Sequence, residues 1–209
     1  MALPSPAADR TCLVTGASAG IGVEIARLLA QRGLGVTLVA RRQERLRALA
    51  DELTGAHGVR AEVVAADLAD PGSRAAIAPT VAERGLTVDV LVNNAGVGTM
   101  GPVHRSSAPR EVAAVRLDVE AVVDLCTTLV PGMVERRRGA VLNVASTAAF
   151  QPLPGQATYA AAKAFVLSFS EALATELAGT GVTVTALCPG PVDTDFAESA
   201  GLSDEQAKG

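Results

Sequence analysis

Tyr159 and Lys163 carry the sharpest chemical signal in this 209-residue chain. They stand four positions apart, so a helix bearing them puts both on one face with the ammonium beside the phenol. A phenol that titrates at about 10 is a poor base at neutral pH, and an adjacent cation favours the phenolate, which makes it a usable proton donor and acceptor. Ser146 lies thirteen residues before Tyr159, where its hydroxyl can hold a substrate oxygen. The bland alternative is an ordinary amphipathic tyrosine near a surface charge. Against it, Tyr159 is the only tyrosine, and Lys163 and Lys208 are the only lysines beside 16 arginines.

A second chemistry is written near the start. In Thr15-Gly-Ala-Ser-Ala-Gly-Ile-Gly, the glycines Gly16, Gly20 and Gly22 permit a tight turn. They let the backbone of Ser18, Ala19 and Ile21 approach a pyrophosphate at a positive helix N-terminus. After the next apolar run, a site selective for NAD(H) would carry an acidic residue for the ribose hydroxyl. The chain has Arg41 and Arg42 instead, which suit a dianionic 2′-phosphate, so NADP(H) is the expected cofactor; the alternative is that both begin a solvated helix. Asp67, followed by Leu68, ends a third run, where its carboxylate either accepts from an adenine amino group or caps the turn before Pro71.

The elements that must position these groups alternate strictly. Short β-branched runs at 11–15, 36–40, 63–66, 88–92, 140–144 and 182–187 read as strands. Helical spacing fills 23–31, 43–53, a stretch opened by Pro71, a long segment 109–138 with its interruption expected at Pro131, and 156–178. Such alternation predicts right-handed crossovers and a parallel α/β sheet covered on both faces, in one domain spanning 1–209. With 49% hydrophobic and 19% charged residues, the chain has apolar material enough for a core.

A net charge of −4 and the absence of tryptophan argue against nucleic acid, and no apolar run approaches the roughly 18 residues that a membrane span needs. Cys12, Cys126 and Cys188 have no paired spacing and read as reduced core thiols of a cytoplasmic protein. His57 and His104 read as loop residues rather than metal ligands, and Arg136, Arg137 and Arg138 as a solvated helix end.

Taken in order, Thr15-Gly-x3-Gly-x-Gly, Asn93-Asn-Ala-Gly96, Ser146, Tyr159-x3-Lys163 and Pro189-Gly190 resemble the compact, single-domain form of the short-chain dehydrogenase/reductase family, from about Thr11 to about Phe196. The resemblance implies a Rossmann fold with strand order 3-2-1-4-5-6 and hydride transfer between nicotinamide and a carbonyl or alcohol. It makes Tyr159 the general acid/base, has Ser146 steady the substrate oxygen, and gives Lys163 both the nicotinamide ribose and the tuning of the phenol. Asn94, Ala95 and Gly96 would line the adenosine ribose, and Pro189, Gly190, Val192 and Thr194 would hold the nicotinamide amide.

Two departures stand out. Asp118 occupies the place where the family commonly has an asparagine supporting a proton-relaying water, completing the catalytic set with Ser146, Tyr159 and Lys163. A carboxylate there cannot donate, and three outcomes stay open: a firmer proton on Lys163, a weaker relay, or no effect where a backbone carbonyl holds the water. The chain also stops at Gly209, before the further strand and helix of the family, which reads as a short form or a fragment with an exposed edge at the sixth strand. A homodimer or homotetramer through the two long helices is expected, with a small apolar carbonyl or alcohol as substrate. The competing expectation is a catalytically weak NADP(H)-binding regulatory protein.

Overall fold

Side chains in the first four apolar runs alternate between two buried cores, which is why the strands lie inside the fold. Leu13 and Leu91 face one core while Cys12, Val14, Val90 and Val92 face the other. The computed structural model describes residues 3–192; the expectation placed on Thr194 lies outside the described residues. The strands are β1 (Arg10–Thr15), β2 (Val36–Ala40), β3 (Ala61–Ala65), β4 (Thr87–Asn93), β5 (Gly139–Val144) and β6 (Val182–Leu187). All pair in parallel in the order β3-β2-β1-β4-β5-β6, as expected. The strand order reverses beside β1, and the crevice above the ends of β1 and β4 is where an open parallel sheet offers a ligand site.

Among the described residues, seven α-helices cover the faces: α1 (Gly20–Gln31), α2 (Gln43–His57), α3 (Pro71–Ala75), α4 (Ile77–Glu83), α5 (Ala108–Val115), α6 (Ala121–Glu135) and α7 (Ala157–Glu176). Helix α2 runs four residues beyond the expected end and stops at Gly58, whose φ of 65° closes it in a left-handed cap. Strand β3 starts two residues earlier than expected because Ala61 pairs with Val36.

The long segment is interrupted, but not at the proline. Residues Arg116–Glu120 form a single π-helical turn between α5 and α6, whereas α6 continues through Pro131. The lost Pro131 N–H removes one helical bond, and burial of Cys126, Val130 and Met133 against the core keeps the helix intact. The extra residue of the π turn leaves Asp118 buried within the core side of the run.

The rim at the N-terminal ends of the strands corrects the expectation for the basic run. Arg138 Nε donates to Asp89 Oδ2 at 2.6 Å, Arg10 Nη1 to Oδ1 at 3.3 Å, and Arg136 Nη2 stands 3.7 Å from Oδ1. Asp89 is almost wholly buried, so a carboxylate in the strand ties down Arg138 and Arg10, while Arg136 and Arg137 remain exposed residues. Cys12 and Cys126 are buried thiols pushed up to about 12 by desolvation, whereas Cys188 is only half-buried. Asp89→Asn is expected to lower unfolding stability by about 2 kcal/mol, discounted for the partial exposure of the arginines. A urea midpoint equal to that of the parent protein would contradict this role.

Candidate active site

The hydroxyl of Thr15, at the end of β1, organises the first half of the crevice. Its Oγ1 donates to the carbonyl of Val92 at 3.1 Å and accepts from the backbone N–H groups of Asn94 at 2.9 Å and Ala95 at 3.0 Å. The Asn94 side-chain amide donates to the Thr15 carbonyl at 2.9 Å. These bonds sew the ends of β1 and β4 together and press the glycine turn against Asn94. A Cβ on Gly22 would lie 2.5 Å from both Gly16 O and Asn94 Nδ2, so no side chain fits there. Gly16 and Gly20 adopt φ of 65° and 55°, which favour glycine.

The turn ends at Ala19, which caps α1 without any side-chain bond, so the first-turn N–H groups face the crevice side with no capping oxygen. Arg42 reaches back over this turn, its Nε donating to Ser18 Oγ at 3.2 Å. Arg41 beside it is exposed. Ser18 and Ile21 lie on the same half-exposed rim. Asp67 Oδ1 accepts from the Ala69 N–H at 3.0 Å, which makes a local turn, while Asp70 is the residue that caps α3. Of the two alternatives for Asp67, the cap of the turn before Pro71 is thus present, and the cap of α3 itself falls to Asp70. Leu68 buries its side chain in the core and presents its carbonyl to Arg74 at 2.7 Å.

The second half is built around an ammonium. Lys163 is buried on α7, its Nζ donating to the Val144 carbonyl at the end of β5 at 3.2 Å. Asp118 Oδ2 stands 3.6 Å away, an ion pair too long for a hydrogen bond, while Oδ1 accepts from the Val97 N–H at 2.9 Å. Burial pushes the Asp118 carboxyl above the usual carboxylate range, opposed by the Lys163 charge and the Val97 bond. The ring of Tyr159 lies with its centroid 5.7 Å from Lys163 Nζ. A Cβ on Gly96 would stand 3.1 Å from that nitrogen and 3.3 Å from Asp118 Oδ2, so the loop passes close over the pair and any side chain there would push on it.

Ser146 caps a short 3-10 turn, Thr147–Phe150, its Oγ accepting from the Ala148 N–H at 3.1 Å. Its flanking residues are pinned to the strand beside it: Ala145 N–H donates to Leu187 O and Thr147 N–H to Pro189 O. Pro189 therefore lies beside the Ser146 turn, with Gly190 and Val192 exposed just beyond. The structure thus gathers Asp118, Tyr159, Lys163 and Gly96 at one place, and Gly16, Gly20, Gly22, Asn94 and Ala95 at an adjoining one.

Comparison with known proteins bears on this geometry. The family described as short chain dehydrogenase matches residues 10–205. The chain belongs to the short-chain dehydrogenase family. Similar members include an NADP-dependent 3-hydroxy acid dehydrogenase of Salmonella typhi, 39% identical over 202 residues, covering 94% of this chain and 79% of that protein. A short chain dehydrogenase of Pseudocercospora fijiensis is 37% identical, and the match spans 90% of this chain but only 61% of that relative's length. Among solved structures, a short-chain dehydrogenase from Sphingobium yanoikuyae in complex with NADPH has a TM-score of 0.88 and 36% identity, covering 93% of this chain and 75% of that one.

Several supporting groups of this short-chain dehydrogenase escape a reading of motifs. Asn93 donates to Asn143 Oδ1 at 2.9 Å, and Asn143 in turn to Ser170 Oγ at 2.9 Å, a buried polar chain beneath the ends of β4 and β5. An asparagine inside the apolar run of β5 was the available signal. Arg74, nearly buried, donates to Glu120 and Asp124 as well as Leu68 O, tying the β3 end to the π turn that carries Asp118. Thr15→Val is expected to cost about 1 to 3 kcal/mol because two half-buried N–H groups lose their acceptor, and Thr15→Ser should recover most of it. Chemical denaturation of both variants checks this; equal losses would mean that the hydroxyl is not the group that matters.

Proposed function

We propose that this short-chain dehydrogenase transfers a hydride between NADP(H) and a small carbonyl compound or its secondary alcohol, with Tyr159 donating and accepting the proton. The observation that carries the reading is the buried Lys163 ammonium, fixed to Val144 O at the open end of the sheet and 5.7 Å from the Tyr159 ring centroid. Supporting it, a relative 39% identical is named as NADP-dependent, and a neighbour of TM-score 0.88 is a complex with NADPH.

The residues present fit such a cofactor. Gly16, Gly20 and Gly22 form a cradle that a Cβ would fill, with Ser18, Ala19 and Ile21 carrying its backbone at an uncapped helix start. Arg41 and Arg42 at the end of β2 would hold a 2′-phosphate. Asp67 and Leu68 would edge the adenine, Asn94, Ala95 and Gly96 its ribose, and Pro189, Gly190 and Val192 the nicotinamide amide. When bound, NADP(H) supplies the hydride.

The chain's own residues do the rest. Ser146 would hold the substrate oxygen, and Tyr159 would exchange a proton with it. Lys163 would hold the nicotinamide ribose and favour the phenolate, with Asp118 behind it. Loops 100–107 and 148–156 meet where Gly101 N–H donates to Gly155 O at 2.8 Å, and they expose Val103 and Phe150, which supports an apolar substrate. Exposed Val112 and Val115 on α5 and Phe165 on α7 support a homo-oligomer formed through the long helices, and the free thiols suit the cytoplasm.

Tyr159→Phe is expected to keep NADPH binding in a fluorescence titration while carbonyl reduction falls by about two to four orders of magnitude. Turnover equal to the parent protein would refute the assignment. Arg41→Ala and Arg42→Ala should each weaken NADPH binding about tenfold while sparing NADH. Equal losses for both cofactors would assign these arginines to structure instead.

A further inference from the structure

The buried pair of Asp118 and Lys163 is built in an unusual way for an ion pair. One carboxylate oxygen is satisfied by the Val97 N–H, while Oδ2 has no hydrogen-bond partner at all. A buried carboxylate oxygen left so is costly, and the ammonium 3.6 Å away is the one charge that offsets it. Lys163 in turn spends its hydrogen bond on Val144 O and not on Asp118. The two groups therefore balance charge without locking each other in place, and the ring of Tyr159 lies with its centroid 5.7 Å from the same ammonium.

The other charged groups nearby are engaged elsewhere. Glu120 and Asp124, on the same helical run, turn to Arg74. Arg116, in the π turn itself, is exposed. Glu111 on α5 is held below the usual carboxylate range by the Thr158 hydroxyl, with Thr99, Ser106 and Arg110 also contributing. From the loop after β4, Gly96 and the Val97 N–H face the pair, and from β5 the Val144 carbonyl. Cys126 on α6 remains a thiol beside Asn93.

We propose that Asp118 is a positioning residue that acts through Lys163, its negative charge cancelling part of the ammonium's field and so raising the pH at which Tyr159 gives up its proton. The inference rests on the proposed role of Tyr159 for its bearing on turnover, but the charge effect itself belongs to the free protein. Removing the carboxylate charge while keeping its shape frees the full ammonium field for the phenol.

The chain carries its own probe: with one tyrosine and no tryptophan, the near-ultraviolet tyrosinate band reports Tyr159 alone, without cofactor or substrate. Asp118→Asn is expected to move the midpoint of that band to lower pH by about one unit. In a Lys163→Met background, the same substitution should move it far less, because the buried carboxyl without its counter-ion takes up a proton and has no charge left to remove. An unmoved band, a band moved to higher pH, or an equal shift in both backgrounds overturns the proposal. Should Asp118→Asn fail to give the parent's far-ultraviolet circular dichroism, Asp118→Ser is read in the same way. The alkaline limb of kcat/KM for alcohol oxidation should follow the band; a band that moves while the limb stays still upholds the charge effect and refutes Tyr159 as the proton carrier.

Discussion

A primary ammonium with only 5% of its residue exposed sets the terms for everything around it. Lys163 cannot stay charged in the interior without an acceptor and a compensating charge, and the fold provides each from a different element. The acceptor is the last carbonyl of β5, the charge comes from the π turn before α6, and the loop after β4 closes over both as Gly96. The ring of Tyr159, one turn away on α7, lies with its centroid 5.7 Å from this fixed cation.

The same strand ends also build the glycine cradle. Parallel strands place all their carbonyl termini on one side, and the bonds of Thr15 to Val92, Asn94 and Ala95 fuse the ends of β1 and β4 into one ledge. Asn93 and Asn143 continue the ledge underneath towards β5, and the Ala145 and Thr147 bonds carry it to β6. The cradle and the ammonium are therefore two parts of one continuous rim, held by buried hydrogen bonds whose loss would be felt at both.

The strand and helix alternation, the strand order and the gathering of Lys163 with Tyr159 were legible because each follows from local pattern: apolar runs of the right length, helical spacing of four, and glycine where φ must be positive. Asp118 was legible only as a position in an alignment of motifs; its burial and its orphaned oxygen depend on a π turn, which leaves no mark on periodicity. The break in the long helix was misplaced for a related reason, since Pro131 announces itself in sequence while the real irregularity at Arg116–Glu120 contains only ordinary helix formers. Arg138 looked solvated because nothing nearby in sequence predicts Asp89, which lies in another strand. Such long-range pairings are tertiary facts.

Asp89 and its arginines sit at the rim of the sheet opposite to the chemistry. One end of the strands thus carries a network of buried and half-exposed charges and the other the candidate site, with the full length of a strand between them. Substitutions can accumulate at the lower rim under selection for temperature without altering which molecules are handled above, and the upper loops can diversify while the lower rim stays as it is. A lineage using this scaffold can explore new substrates and new climates as two nearly independent searches.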